Sequence, residues 1–175
     1  LRTMTAVTSH SAPLTCDVAI IGLGPVGATL ANILGQRGIS TVIFERDAEA
    51  HHLPRAVAFD DEVMRIFQSI GLATNINEIV EIGAGAQFVD AQGTLLVNWE
   101  RPQEISPNGW FVNYRFHQPE LEKILRKGLE RFPCVTTLLE REVCALVEEP
   151  EGVNVEFKHL ETGERDHIQA KFVIG

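Results

Sequence analysis

Cysteine is scarce in this chain: Cys16, Cys134 and Cys144 form no C-x-x-C pair, and an odd number cannot all pair among themselves. Each lies in or beside a strand-like run, which predicts buried, reduced thiols and a cytoplasmic setting. Basic charge is also short. The formal net charge is −9, from 15 Lys and Arg against 24 Asp and Glu, which argues against a nucleic-acid or anionic-membrane surface. Long apolar runs are missing, so no transmembrane span is expected. The residues from Leu1 to Thr15 lack the apolar core of a signal peptide and read as a flexible lead-in. No repeat or low-complexity tract interrupts the rest. His51-His52 has no third ligand at a useful spacing, so a metal site is not expected. What remains is an ordinary globular composition, 45% hydrophobic over 175 residues. That is long enough for one domain with a buried core.

The informative stretch is Cys16-Asp-Val-Ala-Ile-Ile-Gly-Leu-Gly-Pro-Val-Gly27. Val18 to Ile21 is a short apolar run suited to a buried parallel strand. Gly22, Gly24 and Gly27 follow in G-x-G-x-x-G spacing and open into a helical pattern from Pro25 to Arg37, closed by Gly38. The first glycine permits the tight turn, the second lets a pyrophosphate approach the backbone, and the third lets helix and strand pack closely. Phosphates would then sit on the unpaired N–H groups at the helix start. Ser40 to Phe44 supplies a second strand with Glu45 at its end, near the ~20-residue separation expected of a ribose-binding carboxylate. An ordinary βαβ unit with chance glycines is the competing reading.

Arg46 to Phe59 reads as a loop containing Leu53-Pro-Arg-Ala56, and Arg55 falls near where a bound dinucleotide would lie. Asp60 or Asp61 can cap a helix with Val63, Ile66, Phe67 and Ile70 on its apolar face and Gly71 at its end. Leu72 to Ala84 shows no readable period. Gln87 to Val97 predicts a hairpin turning at Asp90 to Gly93, and Trp110 to Phe116 another strand whose aromatics pack internally. Gln118-Pro119 opens a helix with proline at its first position and Leu121, Ile124, Leu125, Leu129 and Phe132 on its buried side. Acids (Glu120, Glu122) then bases (Arg126, Lys127, Arg131) follow the helix dipole. Val135 to Leu139 can rejoin the parallel sheet. Val143 to Glu148, Val153 to Phe157 and His167 to Ile174 predict an antiparallel meander. The chain stops directly after an apolar run, which reads as part of a longer polypeptide. The fold class is therefore α/β: a Rossmann-like FAD/NAD(P)-binding domain with a parallel sheet, helices and a small meander.

Val18, Ile20, Ile21, Gly22, Gly24, Gly27, Ala31, Leu34, Gly38, Val42, Phe44 and Glu45 together match the long fingerprint of FAD-binding Rossmann-type domains. With Pro54-Arg55-Ala56 and Gln118-Pro119-Glu-Leu-Glu-x-x-Leu125, the chain resembles the single-component FAD-dependent aromatic hydroxylases. Pro54 to Leu72 is similar to the branch acting on 3-(3-hydroxyphenyl)propionate. The resemblance covers nearly all of Asp17 to Gly175, but only the amino-terminal third or so of such enzymes. It implies that Gly22, Gly24, Pro25, Val26 and Gly27 line the FAD pyrophosphate and that Glu45, followed by Arg46, holds the adenosine ribose. It places Arg55 near the phosphates, Gln118 toward the flavin half and the Val143 backbone near the adenine. It also implies NADH or NADPH as co-substrate, O2 and a small aromatic as reactants, and substrate-domain strands around residues 85–115 within an FAD-binding domain spanning 16–175. An Asp-Gly motif that completes flavin binding in the family would follow Gly175, so no catalytic residue is assigned.

Two other readings compete. An NAD-dependent dehydrogenase would share the turn and Glu45, although a closing meander suits FAD better than repeating βα units do. An inactive partial binding module is the alternative for these 175 residues in isolation. Such a module would expose apolar surface and self-associate, a homo-oligomer included.

Overall fold

The structure, a computed structural model, describes residues 14–50 and 55–175. In chain order its elements begin with β1 (Leu14–Ile21), α1 (Pro25–Gln36), β2 (Thr41–Phe44), β3 (Ala58–Asp60) and α2 (Asp61–Ser69). There follow α3 (Ala73–Asn77), β4 (Val80–Ile82), β5 (Gly85–Val89), β6 (Leu95–Glu100) and β7 (Asn113–Phe116). The chain closes with α4 (Gln118–Leu129), β8 (Val135–Leu138), β9 (Arg141–Glu149), β10 (Gly152–His159) and β11 (Arg165–Ile174). His51, His52 and Pro54 lie outside the described residues.

Six strands form the main sheet in the order β8-β2-β1-β11-β10-β9. β8, β2, β1 and β11 run parallel, while β10 and β9 complete the sheet antiparallel. β1 starts at Leu14, so the last two residues of the expected lead-in are already paired, with Ile168 and Gln169 of β11. The meander is therefore not an appendage: β11 is at once its last strand and a neighbour of the fingerprint strand.

Alternation along the strands divides the interior. Val18, Ile20 and Ile43 share one core with Ala28 and Ala31 of α1 and with Leu121 and Leu125 of α4. Ala19, Val42 and Phe44 share the other with Val155, Phe157, Ile168 and Ala170. The Phe44 and Phe157 rings lie 5.0 Å apart. Their strands are three positions apart in the sheet, roughly 14 Å at ordinary strand spacing. The sheet must curl for these rings to meet. A register shift between Glu156 and Phe157 supplies a local irregularity of the kind that increases strand twist.

α1 and α4 are joined by polar contacts as well as by the apolar face. Fully buried Asn32 donates to the Leu125 carbonyl at 2.9 Å and accepts from Arg131, which also donates to the Ile70 carbonyl. Arg131 thus bridges three segments rather than serving only the dipole of α4.

α2 is capped as expected, with the Asp60 carboxylate accepting from the Val63 N–H at 3.0 Å. Its buried face differs from the expected one. Met64, Phe67 and Ile70 are buried, whereas Ile66 is 41% exposed. At 100° per residue, Met64 and Ile66 flank the Phe67–Ile70 stripe on opposite sides, and it is the Met64 side that packs against the rest of the chain. The region from Leu72 to Ala84 contains α3 and β4, of five and three residues, too short to display a period. β7 begins at Asn113, so Trp110 and Phe111 belong to the preceding loop. Proline is second in α4, after Gln118, where its missing N–H is still harmless because the first-turn donors have no helical partner.

The Asp61 carboxylate fastens that loop to α2, accepting from Ser106 Oγ at 2.6 Å and Asn108 Nδ2 at 2.7 Å. These bonds, Ser106 first, hold its carboxyl below the usual carboxylate range. A depressed pKa contributes stability above the unfolded value and loses it as pH falls through the folded value. Asp61→Asn is therefore expected to lower the unfolding temperature at neutral pH. The gap from the parent should close as pH falls through that depressed value. A gap independent of pH would show that the carboxylate charge is not involved.

The β5–β6 hairpin turns at Asp90, whose N–H donates to the Thr94 carbonyl. Phe88, Leu96 and Trp99 are all at least half exposed, and among the described residues β5 and β6 pair only with each other. Cys16 is buried and Cys134 half-buried, but Cys144 is exposed, contrary to expectation. It lies on β9, which forms an edge of the main sheet. No helix among the described residues is long and apolar enough to cross a membrane.

Candidate functional site

β1 delivers the chain into the glycine turn at its carboxyl end. Gly22 sits at φ +105°, a left-handed value that a side chain disfavours, and its N–H donates to the Phe44 carbonyl at 2.7 Å. Gly24 is the N-cap of α1, extended and with no side chain to satisfy the first N–H groups. No acid occupies the first turn, leaving the positive end of the helix unopposed. Gly27 explains how closely the helix can approach: a Cβ there would strike the Gly22 carbonyl oxygen, with Ile20 Cγ2 at 3.3 Å. At Gly24 a Cβ would meet nothing within 4 Å. The third glycine is thus required by packing, while the second keeps a space open.

That space is part of a cavity of about 390 Å³ lined by Gly22, Gly24, Glu45, Arg46, Arg55 and Val143, all expected site residues. Glu45 is anchored by two backbone donors: Leu23 N–H to Oε2 at 2.8 Å and Asp47 N–H to Oε1 at 3.0 Å. The acid after β2 is thereby tied to the glycine turn after β1. Pro25, Val26 and Gly27 do not line the cavity. Val26 is instead 84% exposed on the first turn of α1, and Gly27 faces the strand.

Gln118 does not line the cavity either. Only 3% exposed, it accepts through Oε1 from the N–H groups of Arg55 and Ala56, both at 2.8 Å. Its Nε2 donates to Glu122 Oε1 at 2.8 Å. The amide orientation is thus set by an acceptor on one side and two donors on the other. Gln118 holds the loop that carries Arg55, a task its position at a helix start did not disclose.

Among the cavity residues not expected at the site are Glu122 and Arg126, read in the sequence only as charges along the helix dipole, and Arg141. Gln118, Glu122 and Arg126 recur every four residues on α4, a polar row beside the apolar row of Leu121, Leu125 and Leu129. That spacing was the available signal, obscured because charges near helix ends are ordinarily solvated. Instead, Glu122 is 2% exposed and pairs with Arg126 at 3.3 Å. Around the cavity, Glu45, Asp47, Glu49, Glu122 and Glu142 face Arg46, Arg55, Arg126 and Arg141, so 5 − 4 leaves one excess negative charge. A diphosphate must therefore rely on local donors rather than on the overall field. Tyr114 is buried, its hydroxyl accepting from the Phe111 N–H, and His117 stands exposed beside Glu120.

Strand, glycine turn, uncapped helix and carboxylate, gathered around one cavity at the ends of parallel strands, define a dinucleotide-binding domain of the Rossmann type. The chain belongs to the FAD binding domain family, whose pattern it matches over residues 15–175. It is 36% identical over 163 residues to a 3-(3-hydroxyphenyl)propionate/3-hydroxycinnamic acid hydroxylase of Paraburkholderia xenovorans, covering 93% of this chain and 26% of that protein. A protein of the same name from Mycolicibacterium smegmatis is 37% identical over 165 residues, covering 94% and 29%. The chain spans little more than a quarter of the length of these relatives. Among solved structures, the flavin-dependent monooxygenase PieE, in complex with FAD and substrate, superposes with a TM-score of 0.81 at 21% identity, over 94% of this chain and 30% of its own. The p-nitrophenol 4-monooxygenase of Pseudomonas putida gives 0.80 at 20% identity, over 91% and 40%. The fold is that of FAD-dependent monooxygenases.

Proposed function

We propose that the chain is the FAD-binding portion of a flavoprotein monooxygenase that hydroxylates a phenolic aromatic acid with NADH or NADPH and O2. The observation that carries this reading is the single cavity joining Gly22 and Gly24 with Glu45 and Arg55. The open space at Gly24 and the unopposed start of α1 suit a diphosphate. Glu45, fixed by two N–H donors, suits a ribose hydroxyl pair, with Arg46 beside it and the Val143 backbone toward the adenine. Pro25, Val26 and Gly27 bring the first turn of α1 up to the phosphates, and Gln118 acts through the loop bearing Arg55. Bound there, FAD would supply the redox chemistry with oxygen; these residues would bind it, orient it and limit its access to water. The relatives' names support a hydroxyphenylpropionate-type substrate. The exposed β5–β6 hairpin fits the first strands of a substrate-binding region. Three free thiols fit a reducing, cytoplasmic setting.

The test is made on a polypeptide of the relatives' length. It is expected to purify with bound flavin, and 3-(3-hydroxyphenyl)propionate should accelerate nicotinamide oxidation with formation of a hydroxylated product. Protein that never retains flavin, yet still oxidises a nicotinamide, would favour a dehydrogenase instead.

A further inference from the structure

The Gln118–Glu122–Arg126 row raises a question that the fingerprint does not answer. Glu122 is an acceptor-only group when ionised, and both its oxygens are occupied, by Gln118 Nε2 at 2.8 Å and Arg126 at 3.3 Å. The second distance exceeds the 2.7–2.9 Å typical of charge-assisted bonds, which leaves the guanidinium free to share its donors with a second anion. Arg126 Nε is buried and has no hydrogen-bond partner among the described residues. That nitrogen is closed off from solvent, so the part of Arg126 that can meet a ligand in the cavity is the guanidinium end it shares loosely with Glu122.

The other arginines of the cavity are differently placed. Arg46 and Arg55 are exposed, where water screens each contact. Arg141 spends Nη1 on the Leu139 and Glu140 carbonyls. Arg126, with 18% of its side chain exposed, lines the same cavity as Gly22 and Gly24 in a drier environment, where a charged hydrogen bond is stronger. Glu122 also orients Gln118, and Gln118 holds the Arg55 loop. One buried carboxylate therefore governs the placement of two arginines, one directly and one through an amide.

We propose that Arg126 binds the diphosphate of the dinucleotide in this cavity and that Glu122 is the positioning residue for it. The proposal rests on the FAD-binding reading above and adds to it a phosphate ligand on α4, in the same cavity as the glycine turn.

The experiment measures ADP and adenosine binding by calorimetry, and FAD binding by flavin fluorescence, on the polypeptide of the relatives' length. Arg126→Met is compared with the double variant Glu122→Gln/Arg126→Met, which avoids leaving a buried carboxylate unpaired. Both are expected to weaken ADP and FAD by about tenfold or more while adenosine changes by less than about twofold. The dependence of ADP affinity on salt should become shallower. If the single variant fails to fold, the double variant decides. Unchanged ADP affinity in a folded double variant would overturn the proposal, as would equal losses for ADP and adenosine, which would mean a packing role. A parent protein that binds neither FAD nor ADP would instead bring down the FAD-binding reading itself.

Discussion

Gly24→Ala is expected to leave the fold standing and to abolish tight dinucleotide binding, whereas Gly27→Ala should damage both. The two glycines are three residues apart on the same turn, yet an added methyl meets opposite surroundings. At Gly24 the Cβ enters open space within the cavity, and the backbone there (φ −73°, ψ −173°) is one that alanine adopts freely. Stability should therefore change by less than about 1 kcal/mol, the usual scale of an N-cap effect. Affinity for FAD should fall by at least about tenfold, because the methyl stands where a phosphate would meet the backbone. At Gly27 the Cβ collides with the Gly22 carbonyl oxygen, a backbone atom that cannot swing aside. Alanine brings about 1 kcal/mol of helix propensity. Overpacking of this kind costs roughly 1–3 kcal/mol, with backbone collisions at the upper end. The collision wins, and a net loss of about 2 kcal/mol should appear as a lower urea midpoint. Equal midpoints for parent and Gly27→Ala would mean that the helix tolerates a wider separation from β1.

Phe44→Ala should produce the largest loss of stability, about 3–5 kcal/mol. Phe44 is 1% exposed and is the last residue of β2. Its ring meets Phe157 of β10 and so joins the parallel strands to the meander across the curl of the sheet. Few other large side chains share that core, where Val42, Val155 and Ile168 are smaller neighbours, so they cannot fill the void. Domains of this size are stable by only about 5–15 kcal/mol, and the variant would be close to unfolding in ordinary buffer. Phe44→Leu retains most of the volume and should cost less than about 1.5 kcal/mol. Denaturant titration of the two variants checks the contrast. A loss below about 1 kcal/mol for Phe44→Ala would show that the meander is not anchored through this ring.

Sequence reading succeeded where a residue's job depended on neighbours along the chain. Asp60 caps α2 through an N–H three residues on, and the Asp90 hairpin closes within five residues. The glycine spacing also specified a turn whose physical reasons recur in the structure, with positive φ at Gly22 and close packing at Gly27. It failed where a side chain's partner came from far away. Gln118 meets Arg55 across 63 positions, and Arg131 meets Asn32 across 99. Ile66 and Cys144 were misjudged because the face an element buries depends on what packs against it.

By itself, then, the sequence determined the βαβ unit, its uncapped helix and the carboxylate at the end of β2, since short-range sterics and hydrogen-bond spacing suffice for these. The tertiary structure decided which charges matter. It buried Glu122 and brought the Gln118–Glu122–Arg126 row, whose spacing the sequence already held, to the cavity of the glycine turn. The physical reason is solvation. Charges at four-residue spacing on a helix have little effect when water surrounds them, and whether water surrounds them is settled only when α4 packs against the rest of the chain.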